Sequence, residues 1–193
     1  MDLRATTADT ANSDRELAAR LRRGDPQALT ALWVRYHGRI HGFLLRLCRQ
    51  PALAEDLLQE VFIRLARHGP ELAADAPLLP WLYTVARNLY RSEQRKQVGW
   101  LQRLPWAQRH FDVPSPTPYT QAVAADRERR VEAALLDLPD AYREALLLVA
   151  VEQLTPASAA QVLGISDVAL RKRVSRARVM LRQALSEAEE GDP

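Results

Sequence analysis

Between Arg171 and Arg182 the chain carries six basic residues, Arg171, Lys172, Arg173, Arg176, Arg178 and Arg182, with no acid among them. Guanidinium and ammonium groups at that density do electrostatic rather than covalent chemistry: they neutralise phosphates and release the counterions of a nucleic acid. Leu170, Val174, Ala177 and Leu181 recur at intervals of four, three and four residues. At 100° per residue they form one narrow apolar stripe that faces a core. On the same wheel Val168, Ala169, Lys172, Ser175 and Arg176 project from the far side, while Arg171, Arg178 and Arg182 line one flank. Small residues interleaved with cations let such a helix enter a groove. A basic face can also be a solvated surface, but the residues ahead of this one punctuate a tight turn. Thr155 can cap a short helix opening with Pro156, Gly164 suits its left-handed ending, and Ser166 offers a cap to the basic helix.

A second constellation lies in PWLYTVARNLYRSEQRKQ, residues 80–97. Its period turns Trp81, Leu82, Val85 and Leu89 inward and Thr84, Arg87, Asn88, Arg91, Gln94 and Arg95 outward, with Tyr83 and Tyr90 at the border. Cations alternating with aromatic rings suit unpaired nucleic acid, whose backbone meets charge and whose bases stack. A third constellation is acidic. In the helix expected from Leu53 to His68, Leu57, Leu58, Val61, Phe62 and Leu65 form a buried face, and Asp56, Gln59, Glu60, Ile63 and Arg67 share the opposite one. An isoleucine among acids and amides suits a partner surface better than water.

Other chemistry finds no constellation. His37, His41 and Cys48 fall near one line of a helix, but a fourth ligand and a compact Cys/His spacing are missing, so no metal or cofactor is expected. Paired carboxylates at metal spacing, a glycine-rich phosphate loop and a nucleophile with its base are all absent, which argues against an enzyme.

The elements that must carry these faces are helical. The 193 residues are 47% hydrophobic, enough to bury a core in one or two domains. Formal net charge is only +3, yet the pI near 9.3 and the clustered arginines place the basic charge as nucleic-acid binders do. The single cysteine excludes an internal disulfide, and neither a signal peptide nor an apolar run of membrane length is present, so the expected compartment is cytoplasmic. Strand-like alternation is missing and Ala, Leu, Arg and Glu favour helices, which makes the expected fold class all-α.

In chain order, residues 1–13 are polar and without period, a disordered lead-in. Residues 14–23 read as a short helix closed by Gly24; Asp25 and Pro26 then open a longer one reaching about Arg49, with Leu29, Leu32, Trp33, Tyr36, Ile40, Phe43, Leu44 and Leu47 on its apolar side. A loop from Gly69 to Leu79 precedes the aromatic-basic helix. From 97 to 125 the period collapses: Pro105, Pro114, Pro116 and Pro118 interrupt a stretch holding Trp100, Trp106 and Phe111, an extended linker. The expected organisation is therefore a lead-in (1–13), a first domain (14–96), a linker (97–125), a second domain (126–185) and an acidic tail (186–193) that frays past Arg182.

EDLLQEVFIRL, then PWLYTVARNLYRSEQRK, then a proline-broken linker, then LPDAYREALLLVAVEQLTPASAAQVLGISDVALRKRVSRARVMLR resemble, in that order, regions 2 and 4 of bacterial sigma-70 family sigma factors of the extracytoplasmic-function (ECF) group. The resemblance covers most of Asp14 to Leu185. It implies two small helical domains and a dissociable subunit of RNA polymerase that recognises the −10 and −35 promoter elements and opens the duplex. By that resemblance Asp56, Gln59, Glu60 and Ile63 dock on the clamp of the largest polymerase subunit. Trp81, Tyr83, Arg87, Asn88, Arg91 and Arg95 would serve −10 contact and strand opening, and the loop before Trp81 would capture a flipped base. Ser166, Ala169, Arg171, Lys172, Ser175 and Arg176 would read the −35 element. An anti-sigma factor is implied as a further partner beside core polymerase and promoter DNA. Two departures stand out: Ser92 occupies a position where members often carry an acid, and Ser158, Ala159 and Ala160 replace a usual Glu-Ile-Ala. The alternative, a stand-alone helix-turn-helix regulator, explains the C-terminal half but leaves the aromatic-basic helix, the acidic row and the linker without purpose.

Overall fold

The computed structural model describes residues 14–73, 76–103 and 124–190. The expected lead-in, Asp75, most of the expected linker and the last residues of the tail lie outside them. Among the described residues every regular element is helical: α1 (14–22), α2 (Pro26–Cys48), α3 (Pro51–His68), α4 (Leu78–Arg103), α5 (Ala124–Asp137), α6 (Asp140–Leu146), α7 (Pro156–Leu163) and α8 (Asp167–Glu190). The chain divides into two compact units, Met1–Leu45 with Pro51–Arg95 and Arg46–Gln50 with Lys96–Pro193.

In the first unit, α1 ends at Gly24, whose φ of +77° closes the helix through a bond from its amide to Leu21 O at 2.9 Å. Asp25 then caps α2 by accepting from the Gln27 amide at 2.9 Å. The Arg20 guanidinium, 2.8 Å from Asp25, together with that amide holds the Asp25 carboxyl below the usual carboxylate range. The other end of α1 is tied too: Asp14 accepts from the buried Tyr36 hydroxyl and from Arg35 Nη1 at 2.6 Å. Burial, reinforced by Asp14, pushes the Tyr36 phenol well above its ordinary value.

The core of this unit combines Leu32, Tyr36, Ile40, Phe43 and Leu44 of α2, Leu57, Leu58, Val61, Phe62 and Leu65 of α3, and Leu82, Tyr83, Ala86, Leu89 and Tyr90 of α4. Phe43 meets Tyr83 edge-on at 5.1 Å. Trp33, expected on the apolar side of its helix, instead lies at the rim. It covers Phe62 edge-on at 4.6 Å, and the His37 ring stacks on its outer face at 5.6 Å. A ring that large can shield a core neighbour while keeping its own margin in water. His37 Nδ1 lies 3.0 Å from Trp33 O, and the Cys48 thiol donates to Gln50 O, so both groups have local packing roles.

The fourth helix is longer than its period suggested. It starts at Leu78 and runs to Arg103, so the first residues of the expected linker are helical. Residues 98–103 contain no proline, so nothing in their backbone chemistry interrupts the helix.

In the second unit α8 packs against α5, α6 and α7. Arg143, almost fully buried, donates to Leu136 O at 2.6 Å and Leu138 O at 3.4 Å and pairs with Asp140, so its guanidinium serves carbonyls that the end of α5 leaves open. Beyond α6 the helix widens over Leu147–Val151: the Glu152 amide reaches back five residues to Leu147 O at 2.9 Å. Gln153 then takes the left-handed conformation, φ +55°, and Leu154 N bonds Leu148 O at 2.9 Å. This turn buries Leu147, Leu148 and Leu154 together and redirects the chain into α7. At the far end α8 does not fray at Arg182 but continues to Glu190, because Gln, Ala, Leu and Glu sustain a helix.

Candidate nucleic-acid interface

The turn between α7 and α8 is built by the residues that punctuate it. The Ser158 amide donates to Thr155 Oγ1 at 3.2 Å and the Thr155 hydroxyl donates to Ser158 Oγ at 2.9 Å, with Pro156 in the first helical position. Thr155 is thus the cap, with the Ser158 hydroxyl holding its side chain in place, and Ala159 and Ala160 are small enough to be buried beside α8. Gly164 takes φ +64° and sends its amide to Gln161 O at 3.1 Å. Ser166 Oγ accepts from the Ala169 amide at 3.2 Å and fixes the start of α8.

On α8, Leu170, Val174 and Ala177 are buried and Leu181 is half-buried, so the stripe faces the unit's interior as its spacing requires. Ser166, Arg171, Lys172, Ser175 and Arg176 are exposed, and Ala169 is half-buried at the margin. All six residues expected to read the −35 element therefore lie along the outer side of one capped helix. Arg171, Ser175, Arg178 and Arg182 also line an open groove of about 400 Å³, floored by Val149, Leu170 and Val174. Cations so placed can neutralise phosphates beside that exposed row.

On α3, Asp56, Gln59 and Ile63 are exposed and Glu60 is partly so, its carboxylate 2.9 Å from Arg64 Nε. Ile63 leaves 43% of its surface in water while Phe62, one residue earlier, is buried. The row is contiguous, starts with acid and amide side chains and ends on an aliphatic one, with exposed Arg67 a turn beyond.

On α4 the structure divides the expected residues. Trp81, read from its period as inward, is half-exposed and shares one strip with Asn88, Arg91 and Arg95. Arg87 and Tyr83 are corrected the other way. Arg87, expected outward, retains only 7% exposure, and Tyr83, expected at the border, is wholly buried against Phe43. Tyr90 is buried as well, its hydroxyl accepting from Gln94 Nε2 at 2.7 Å. The reason is the width of the contact. Leu78, Leu82, Tyr83, Ala86, Arg87, Leu89 and Tyr90 are all buried and span about 180° of the wheel, twice what an amphipathic reading assumes. A buried arginine keeps its charge by being paired, so Arg87 belongs to the support of α4 and not to its outer strip.

Sequence reasoning missed α1 as a neighbour of this region. Leu21 lies against Gly69, and Arg22 Nη1 approaches the carbonyls of Leu72 and Ala73 at 3.4 and 3.5 Å. The glycine at the end of α3 was the signal, since a Cβ there would stand 2.4 Å from Leu21 Cδ2.

Two helical units, one ending in a capped helix-turn-helix whose second helix presents exposed cations, define an all-α DNA-binding protein of the helix-turn-helix class. Residues 32–99 match the Sigma-70 region 2 family and residues 128–181 match Sigma-70, region 4. The chain is 34% identical over 179 residues to the RNA polymerase sigma factor CarQ of Myxococcus xanthus, covering 88% of this chain and 96% of that one. It is 31% identical to the ECF RNA polymerase sigma factor SigM of Bacillus subtilis, covering 76% and 88%. It is 36% identical over 148 residues to the probable RNA polymerase sigma factor RfaY of Xanthomonas campestris, covering 73% of this chain but only 36% of that relative. In fold it is similar to the sigma factor RpoE solved in complex with the anti-sigma factor NepR from Bartonella quintana, with a TM-score of 0.72 at 24% identity, covering 81% and 96% of the two chains. The chain belongs to the sigma-70 family of RNA polymerase sigma factors, in its ECF group. Among the described residues no helix is long and apolar enough to cross a membrane.

Proposed function

We propose that this sigma factor divides its work among three surfaces. Asp56, Gln59, Glu60 and Ile63 of α3 dock on the clamp of the largest subunit of core RNA polymerase, where Ile63 fills an apolar recess and the acids meet basic residues. The strip of Trp81, Asn88, Arg91 and Arg95 on α4 holds the −10 strand once it is unpaired, Trp81 by stacking and the arginines by phosphate contact. Arg87 and Tyr83 hold that helix in place from behind. Ser166, Ala169, Arg171, Lys172, Ser175 and Arg176 of α8 enter the major groove at the −35 element, with bidentate arginine contacts to guanine edges as the source of discrimination.

The observation that carries this reading is the coexistence, on one chain, of an exposed acidic row around Ile63 and an exposed cationic row on a capped α8. A regulator acting alone has use for the second but not the first. The protein works in the cytoplasm without chemistry of its own: it places polymerase and stabilises the open strands. An anti-sigma factor, such as the NepR bound to the similar RpoE, is the partner that would withhold it. Transcription by core polymerase on a randomised promoter library tests the whole. Transcripts that start at a fixed distance from a recovered two-part motif, and only with the chain added, support it; tight sequence-specific duplex binding by the chain alone, with no transcript, would mark a stand-alone regulator instead.

A further inference from the structure

We infer that α1 is a brace for the segment Gly69–Ala73 ahead of α4, and that Arg22 is a positioning residue for promoter opening. This rests on the reading that the loop before Trp81 meets the melted strand. The segment buries little of its own: Pro70, Glu71 and Ala73 are exposed and Leu72 is only half-buried. Among the described residues its internal backbone ties are Leu72 N to Gly69 O at 3.2 Å and Ala76 N to Ala73 O at 3.0 Å. A stretch with so little apolar contact takes its path from whatever else touches it.

Besides Leu65 and His68 at the end of α3, what touches it is the last turn of α1. Leu21 fills the space that a side chain at residue 69 would need, with 2.4 Å between its Cδ2 and a Cβ there. One residue on, Arg22 Nη1 reaches the Leu72 and Ala73 carbonyls at 3.4 and 3.5 Å. α1 can act as a fixed point because both its ends are anchored to α2, through Asp14 with Tyr36 and Arg35 and through Arg20 with Asp25. The brace therefore runs from α2 through α1 to the loop, without Arg22 touching DNA.

The test is promoter opening by reconstituted holoenzyme on a promoter recovered from a randomised library, read by permanganate reactivity of unpaired thymines. Arg22→Met keeps the stem and removes the donors; Arg22→Lys restores a donor. About a fivefold slower opening is expected for the methionine variant, the scale of a lost charge-assisted contact, with opening largely restored by lysine and with core-polymerase affinity and melting temperature unchanged. Gly69→Ala, which presses on Leu21 from the other side, should slow opening in the same assay. Opening at the parental rate by Arg22→Met overturns the brace, and so does a loss that tracks a lowered melting temperature and is not restored by lysine. Ala73→Glu separates the two levels: if it blocks opening while Arg22→Met does not, only the brace fails, and if it too opens normally, the loop does not meet the strand and the reading beneath the brace falls.

Discussion

α8 of the second unit and α4 of the first both carry alternating arginines, yet they meet their surroundings over different widths. α8 buries Leu170, Val174 and Ala177, an arc of about 60°, and leaves every expected reader residue at or near the surface. α4 is enclosed over about three times that arc, and its buried side takes in Arg87, Tyr83 and Tyr90. A helix held along one stripe can present a whole face to a duplex, as a reader that slides into the major groove must. A helix held over half its circumference offers a narrow strip, suited to one extended strand, and gains rigidity from the remainder. The difference separates residues left at the surface, which the proposed reading gives to nucleic acid, from residues enclosed behind them.

Substitutions can break or sharpen that separation. The largest effect is expected for Arg87→Ala, which removes a buried cation from its partners and should destabilise the first unit by about 3 kcal/mol, read as a lower thermal or urea midpoint. Unchanged stability with abolished promoter opening would instead make Arg87 a contact residue and erase the contrast between the helices. Ile63→Glu should weaken binding to core polymerase about 100-fold, the scale of a central interface anchor, measured by fluorescence anisotropy, while binding of −35 duplex is kept; equal affinity for polymerase removes the docking assignment. Arg176→Ala should reduce affinity for −35 DNA about 10-fold and lower the salt dependence by roughly one counterion, with polymerase association intact. An effect confined to polymerase binding would mean that α8 is not the reader. The smallest change is expected for Gly164→Ala. Its neighbourhood is open, so only the left-handed backbone at φ +64° is strained, by ~1 kcal/mol, visible as a small drop in the second unit's stability with base preference unaltered.

Much of this was legible before any coordinates. Thr155, Pro156, Gly164 and Ser166 mark the turn because each acts on backbone groups within three residues of itself, and such local bonds form wherever the segment lies. Ile63 stood out because its neighbours on the wheel are acids and amides, and the exposed isoleucine is where that pattern put it. The wide turn at Leu147–Val151 left no such mark. LLVAV reads as ordinary helix, and only the joint burial of Leu147, Leu148 and Leu154 makes the extra residue worthwhile. Trp33 differs from its pattern for a related reason: its type suggests core, but its burial depends on how far α3 covers it, which ends at Phe62.

The chain's residues by themselves determined the helical class, the order of its elements, the caps and the side of α8 that turns outward, since all of these follow from interactions within one or two turns. The tertiary structure decided how much of each helix is covered, and so which arginines stand at the surface and which are enclosed by the fold. Periodicity assigns a residue its angle about an axis; the width of the buried arc at that angle is set by neighbouring helices tens of residues away.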